Sequence, residues 1–100
     1  MTHFRIVTDA RADQDVESAH DWYEDERPGL GLEFLTELRA AYDRIVDRPF
    51  GYQVVALGVR RARLRRFPYG VYYVVEGDVI SVVAVMHLSR DPAEWQRRRD

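Results

Sequence analysis

The clearest candidate for chemistry is a run of arginines at residues 60–66, Arg60-Arg61-Ala62-Arg63-Leu64-Arg65-Arg66. In an extended strand alternate side chains share a face, so Arg61, Arg63 and Arg65 would project together. Neighbouring guanidinium groups would lie about 7 Å apart. Such a row can bind the phosphates of a nucleic acid or the carboxylates of an acidic peptide. The alternative is a solvated strand face, or arginines paired with acidic residues of the helices.

A second candidate group follows the most apolar segment of the chain, residues 79–86. His87 and Arg90 come directly after it, in a loop position from which functional groups are often presented. His87 could act as a general acid or base near neutral pH, and Arg90 could stabilise charge developing on a phosphate. The alternative is that His87 hydrogen-bonds a backbone carbonyl and Arg90 pairs with Asp91 or Glu94.

Composition narrows the class of protein. A chain of 100 residues with 46% hydrophobic and 32% charged residues is expected to form one folded domain over residues 1–100. The absence of cysteine excludes disulfides and cysteine-based zinc sites. Three scattered histidines do not resemble a metal site, so neither a metal nor a cofactor is expected. No apolar stretch is long enough for a membrane span and the first residues lack a secretory signal, which predicts a cytoplasmic protein without membrane attachment.

The charge distribution is uneven along the chain. All 15 basic residues are arginine. Residues 1–50 hold six arginines and twelve acidic residues, whereas residues 51–100 hold nine arginines and five acidic residues. This asymmetry predicts an acidic face and a basic face, with the partner or target at the basic one. The sequence pI of about 5.9 argues against a general nucleic-acid binder.

The N-terminal half is predicted to be a strand followed by two helices. Residues 4–7 alternate weakly as in a strand, and Thr8 is placed to cap the helix that follows. Apolar residues then recur at helical spacing up to the break at residues 28–31. A second helix begins near Leu30 and carries a broad apolar stripe that stops before Pro49. Two antiparallel helices joined by a short turn follow from this pattern.

The C-terminal half is predicted to be strands with one short helix. Strands are expected at residues 53–57, 59–67, 71–75 and 79–86, the last of them buried on both faces. Asp91, Pro92 and Glu94 have the spacing of a helix start. The fold class is therefore α+β: an N-terminal strand, a two-helix hairpin packed on a mostly antiparallel sheet of four to five strands, and a short C-terminal helix.

Several short motifs follow one another along the chain in a distinctive order, and each occurs once. They are Trp22-Tyr23-Glu24, Pro28-Gly29-Leu30-Gly31 with Phe34, Val59-Arg60-Arg61-Ala62, Arg66-Phe67-Pro68-Tyr69-Gly70-Val71-Tyr72-Tyr73 and His87-Leu88-Ser89-Arg90-Asp91-Pro92. Together they resemble the RelE/ParE superfamily of toxins from bacterial type II toxin–antitoxin modules, which includes plasmid stabilisation proteins. The resemblance runs from the first strand to the last helix.

The resemblance implies a growth-inhibiting toxin that a cognate antitoxin neutralises in a hetero-oligomer. ParE-like members inhibit DNA gyrase by binding, and this is the favoured interpretation. The alternative is a RelE-like, metal-independent endonuclease that cuts mRNA on the ribosome, using Arg61, Arg63, His87 and Arg90. A third interpretation is an inactive relative that only binds its antitoxin.

Two departures from the RelE-like pattern favour the binding toxin. Gly70 stands where an arginine is expected, and Gln96 stands where a catalytic tyrosine is expected, although His87 could substitute as acid or base. An exposed groove for the antitoxin is predicted on the helical hairpin. Its lining would be the aromatic residues Trp22, Tyr23 and Tyr42.

Overall fold

The strands and helices follow one another in the order predicted from the sequence, one strand, two helices, four strands and a short helix. The computed structural model describes residues 3–99. The elements are β1 (Arg5–Thr8), α1 (Ala10–Glu26), α2 (Leu30–Asp47), β2 (Val54–Ala56), β3 (Val59–Arg63), β4 (Tyr69–Glu76), β5 (Val79–His87) and α3 (Ala93–Gln96), followed by one 3-10 turn at Arg97–Arg99. Among these residues no helix has the length and apolar character needed to cross a membrane.

The five strands form one mixed sheet in the order β1-β5-β4-β3-β2. β1 runs parallel to β5, and the other neighbours are antiparallel. The predicted mostly antiparallel sheet is thereby confirmed, with five strands. β5 is an interior strand, and its side chains from Val82 to Met86 are buried, as its unbroken apolar sequence predicts.

The two helices begin at well-defined caps. The Asp9 carboxylate accepts hydrogen bonds from the backbone N–H groups of Arg11 and Ala12 at 2.9 and 3.0 Å. The prediction that Thr8 caps α1 is wrong, because Thr8 is paired with Val82 as the last residue of β1. At the start of α2, the Glu24 carboxylate accepts hydrogen bonds from backbone N–H groups of the turn and of the first helical residues.

The hydrophobic core lies between the helical hairpin and one face of the sheet. Its largest fully buried side chains include Phe34, Ile45 and Tyr73. A smaller apolar cluster lies on the opposite face, where the Trp95 ring of α3 stacks on Tyr72 with centroids 5.0 Å apart. The two clusters leave β3 with one face under the helices and one face partly open.

β3 is shorter than predicted. It ends at Arg63, whereas the alternation of arginine and apolar residues predicts a strand to residue 67. The Leu64 N–H donates to the Tyr69 carbonyl at 2.9 Å, and the Tyr69 N–H donates to the Phe67 carbonyl at 2.7 Å. These bonds turn residues 64–68 into a tight loop, so Arg65 is not on the strand.

Beyond the end of β1, the backbone of β5 is hydrogen-bonded by two side chains, those of Asp15 and Arg98. β1 stops opposite Val82, but β5 continues to His87. The Asp15 carboxylate of α1 accepts a hydrogen bond from the Val85 N–H, and the Arg98 guanidinium donates to the Val83 carbonyl, both at 3.0 Å. Arg98 and Asp15 also bind each other through two bonds of 2.7 and 3.0 Å. This Asp15–Arg98 pair ties the C-terminal turn to α1 and β5.

Candidate functional site

Arg61 and Arg63 lie on the sheet face away from the helical hairpin. They pair in register with Tyr72 and Gly70 of β4, while Ala62 between them is buried under the helices. Arg61, Arg63 and Arg65 take part in none of the ion pairs formed among residues 3–99. The structure therefore leaves the charges of Arg61 and Arg63 free for an anionic group, with Arg65 displaced from their row.

Gly70 makes room for the Arg61 side chain. A Cβ atom on Gly70 would lie 3.1 Å from the Cγ and Cδ atoms of Arg61 and 3.2 Å from a methyl carbon of Leu88. The stem of Arg61 thus crosses β4 toward the loop that follows β5. The resemblance leads to an arginine at position 70. The side chain of Arg61, on the neighbouring strand, lies over this position instead.

A groove runs between the second half of α1 and the end of β5. A cavity of about 260 Å³ and an adjoining one of about 350 Å³ share Trp22, Tyr69 and His87 as lining residues. The Trp22 side chain is 58% exposed and forms an outer wall. Arg90 and Asp15 line the first cavity. We call this concave surface the Trp22 groove.

His87 lies in the groove beside Ser89. The Ser89 N–H donates to Nδ1 of His87 at 3.0 Å. The Ser89 Oγ lies 2.7 Å from the same nitrogen. The ring meets Tyr69 edge-on at 5.4 Å between centroids. His87 therefore accepts a hydrogen bond from a backbone N–H. The alternative considered from the sequence was a hydrogen bond to a backbone carbonyl.

Arg90 is held by a carboxylate of its own chain. Its guanidinium forms an ion pair with Glu94, one of the two partners considered from the sequence. Burial raises the pKa of Tyr69, against the opposing effect of the Arg90 charge, and keeps the phenol protonated at neutral pH. The groove thus offers an imidazole whose Nδ1 is already bonded, a protonated phenol and a guanidinium that is already paired.

Two of the three aromatic residues predicted to line an antitoxin groove lie together, since the rings of Trp22 and Tyr23 meet edge-on at 5.0 Å between centroids and both line the second cavity. Trp22 is exposed, and Tyr23 lies beneath it in the core, against Phe34 and Phe67. Tyr42 does not line the Trp22 groove. It is half-buried, and burial together with the nearby carboxylates of α1 raises its pKa to about 12.

Sequence reasoning missed Tyr69, the residue that contacts both His87 and the aromatic core. It lies in Pro68-Tyr69-Gly70, which was interpreted as an interruption between strands, but it is the first residue of β4. Its register opposite His87 brings the two rings together. At the C-terminal helix, Trp95 is buried against Tyr72, so it is a packing residue.

Comparison with known proteins agrees with this architecture. The family described as ParE toxin of the type II toxin–antitoxin system, parDE, matches residues 6–92. A solved structure of the chromosomal ParDE toxin–antitoxin system from P. aeruginosa superposes with a TM-score of 0.76 at 18% identity, over 85% of this chain and 96% of that chain. No curated protein matches the sequence. The superposition confirms the predicted fold.

Proposed function

This chain belongs to the ParE toxin family of type II toxin–antitoxin systems, and on that basis we propose that it stops growth by binding DNA gyrase until a cognate antitoxin neutralises it. The observation that carries the proposal is the family match over residues 6–92. Residues 1–100 would form the single toxin domain, acting in the cytoplasm where gyrase works. The antitoxin would hold it in a hetero-oligomer.

The groups around His87 support binding rather than RNA cleavage. Attack of a 2′-hydroxyl on a phosphate needs an acid, a base and a group that stabilises the developing charge. Arg90 is paired with Glu94, and Nδ1 of His87 accepts from Ser89. Gly70 contributes no side chain, so the arginine expected there is absent. Arg90, the guanidinium that lines the same cavity as His87, is thus already engaged with a carboxylate of its own chain.

Two surfaces are proposed for the two partners. Arg61 and Arg63 would meet acidic groups of the target, since neither is neutralised among residues 3–99. The antitoxin would place an apolar side chain in the Trp22 groove, against Trp22 and Tyr69. Tyr23 would support this contact from below, whereas Tyr42 lies outside it.

Induction of the chain in cells without antitoxin tests the proposal. DNA damage signalling and bulk translation are followed in parallel. Binding to gyrase predicts a DNA damage response while translation continues, and rescue by co-expression of a neighbouring acidic reading frame. Rapid translation arrest with cuts in ribosome-bound messages would instead support the endonuclease. Normal growth would support the inactive relative.

The His87→Ala variant separates the two active interpretations. A gyrase-binding toxin keeps its growth inhibition, because the imidazole has no chemical step to perform. The same variant and the wild type are compared in a supercoiling assay with purified gyrase, where equal inhibition is expected. Loss of toxicity in this variant at unchanged thermal stability would contradict the proposal and support acid–base catalysis.

A further inference from the structure

β1 is an edge strand whose outer side is unpaired. Its parallel pairing with β5 uses the backbone groups of alternate residues. The Arg5 N–H donates to the Asp78 carbonyl at 3.0 Å, and the Asp9 N–H donates to β5 in the same way at 3.2 Å. The N–H and C=O groups of Ile6 and Thr8 therefore point away from β5. Among residues 3–99 these four groups have no backbone hydrogen-bond partner.

The other borders of the sheet are poorly suited to receive a further strand. β2 has three residues, and its register with β3 shifts as in a β-bulge, which hinders strand addition. β5 beyond the end of β1 is bonded by the side chains of Asp15 and Arg98. β1 contains no proline, and its register with β5 is regular. Within the described residues it is therefore the border at which a strand of another molecule can pair.

Two exposed side chains of β1 lie on the sheet face away from the helical hairpin. Ile6 packs against the core under the hairpin, so Arg5 and Val7 lie on the opposite face. Val7 is 38% exposed and lies in the middle of the extended segment 5–9. Arg5 is exposed and takes part in none of the ion pairs formed among residues 3–99. An apolar side chain and an unpaired cation thus lie beside the free backbone groups.

The segment 5–9 is complementary to a second copy of itself. In an antiparallel pair with a two-fold axis at Val7, Ile6 of one copy lies opposite Thr8 of the other, and the two exchange both N–H···O bonds. The same register places Arg5 opposite Asp9 of the second copy, so unlike charges meet on both sides of the axis. The Asp9 side chain is 39% exposed, which leaves its carboxylate accessible. The two Val7 side chains face each other between these charge pairs.

We propose that two copies of this chain pair through β1 and join their five-stranded sheets edge to edge. The two-fold axis is perpendicular to the sheet, so both helical hairpins lie on one face. Both pairs of free arginines, Arg61 and Arg63, lie on the other face. The dimer would thus present two basic surfaces in the same direction. The inference concerns the assembly of the chain and does not depend on which target it inhibits.

Cysteine cross-linking tests both the pairing and its register. The chain has no cysteine of its own, so Val7→Cys supplies a single thiol. Opposite residues of an antiparallel pair lie about 4.5–5.5 Å apart, within reach of a disulfide, and mild oxidation should give a covalent dimer. Thr8→Cys is the matched control, because the two copies of residue 8 would be about 8 Å apart, too far for a disulfide. Absence of a covalent dimer of Val7→Cys, or equal cross-linking of both variants, would overturn the proposed pairing.

Sedimentation equilibrium without oxidant measures the dimer itself. Thr8→Pro removes an outward N–H that the folded monomer does not use, and Arg5→Asp places like charges opposite each other. Each is expected to raise the Kd of the dimer about tenfold or more, with an unchanged circular dichroism spectrum. Arg39→Asp makes the same charge change on α2 and should leave the Kd unchanged.

Two results of this measurement contradict the proposal. The first is a wild-type chain that stays monomeric at concentrations up to about 1 mM. The second is a dimer that neither Thr8→Pro nor Arg5→Asp weakens, because the contact would then lie on another surface. A wild-type dimer that both variants weaken while Arg39→Asp does not supports pairing through β1.

Discussion

The stem of Arg61 crosses β4 at Gly70, where a Cβ atom would stand 3.1 Å from its Cγ and Cδ atoms. Arg61 and Gly70 are diagonal neighbours on adjacent strands, since Arg61 pairs with Tyr72 and Gly70 with Arg63. The glycine therefore sets the path of the arginine side chain. Arg61 is half-buried, and its side chain lies against the surface of β4 at Gly70.

Adding a side chain at Gly70 should push Arg61 away. Gly70→Val is expected to lower the free energy of unfolding by about 1–3 kcal/mol, the usual cost of overpacking. In the Arg61→Ala background the penalty should shrink, because the stem no longer occupies the space. Urea unfolding of the two single variants and the double variant measures this coupling. Additive effects would show that the contact does not constrain Arg61.

Charge reversal of the free arginines should weaken toxicity without unfolding the chain. Arg61→Glu and Arg63→Glu are each expected to raise the concentration needed for half-maximal gyrase inhibition about tenfold or more, because they would repel the acidic groups proposed on the target. Arg39→Glu on α2 is the control, since Arg39 lies near Asp43 on the helical side of the molecule. Unchanged inhibition by both β3 variants would remove these arginines from the target surface.

Loss of Arg98 should loosen the C-terminal turn. The side chains of Arg98 and Asp15 are largely buried, and the hydrogen bond with Asp15 raises the pKa of Arg98 further. Arg98→Met leaves the Val83 carbonyl and the Asp15 carboxylate short of a donor, which predicts a loss of about 1–3 kcal/mol. Urea unfolding reports the change, and hydrogen exchange should rise first at Val85. Arg99→Met, at an exposed neighbour, should leave both measurements unchanged.

Acid should destabilise the fold partly through Asp9. Burial raises the pKa of Asp9, but hydrogen bonds from Ala12 and Arg11 outweigh it and hold the pKa below the usual value of 3.8. The unfolded chain therefore takes up this proton first as pH falls. The stabilisation is complete above the unfolded pKa and is lost as pH falls through the folded pKa.

Asp9→Asn isolates this contribution, because asparagine is as good a helix cap but does not titrate. Unfolding free energies at about pH 6 and pH 3 should differ less in the variant than in the wild type. Asp25→Asn, at an exposed position that caps no helix, is the control. An identical acid dependence in wild type and Asp9→Asn would show that the cap does not contribute to it.

Periodicity predicted most of the elements because their burial follows a local rule. α2 shows this well: Phe34, Leu38 and Ile45 recur at helical spacing and are buried. β5 is continuous and apolar because it is covered on both faces. The same rule failed at residues 64–67, where Leu64 and Phe67 are buried from a loop rather than a strand. Alternation cannot distinguish these cases, since the bonds that turn the loop involve Tyr69.

The candidate site was only partly visible in the sequence. Period two placed Arg61 and Arg63 on one face, and their position on β3 agrees. The path of Arg61 over Gly70 depends on strand register, which the sequence did not specify. The contact between Asp15 and Arg98 joins residues 83 positions apart, so no local pattern could reveal it.

The Asp15–Arg98 pair has a consequence for how the molecule behaves in solution. An unpaired strand edge exposes backbone N–H and C=O groups to which a strand of another molecule can bind. Such edges promote aggregation. Two charged side chains that occupy the Val83 carbonyl and the Val85 N–H deny that edge to a neighbouring molecule. This part of β5 therefore presents no free backbone group to a strand of a second molecule.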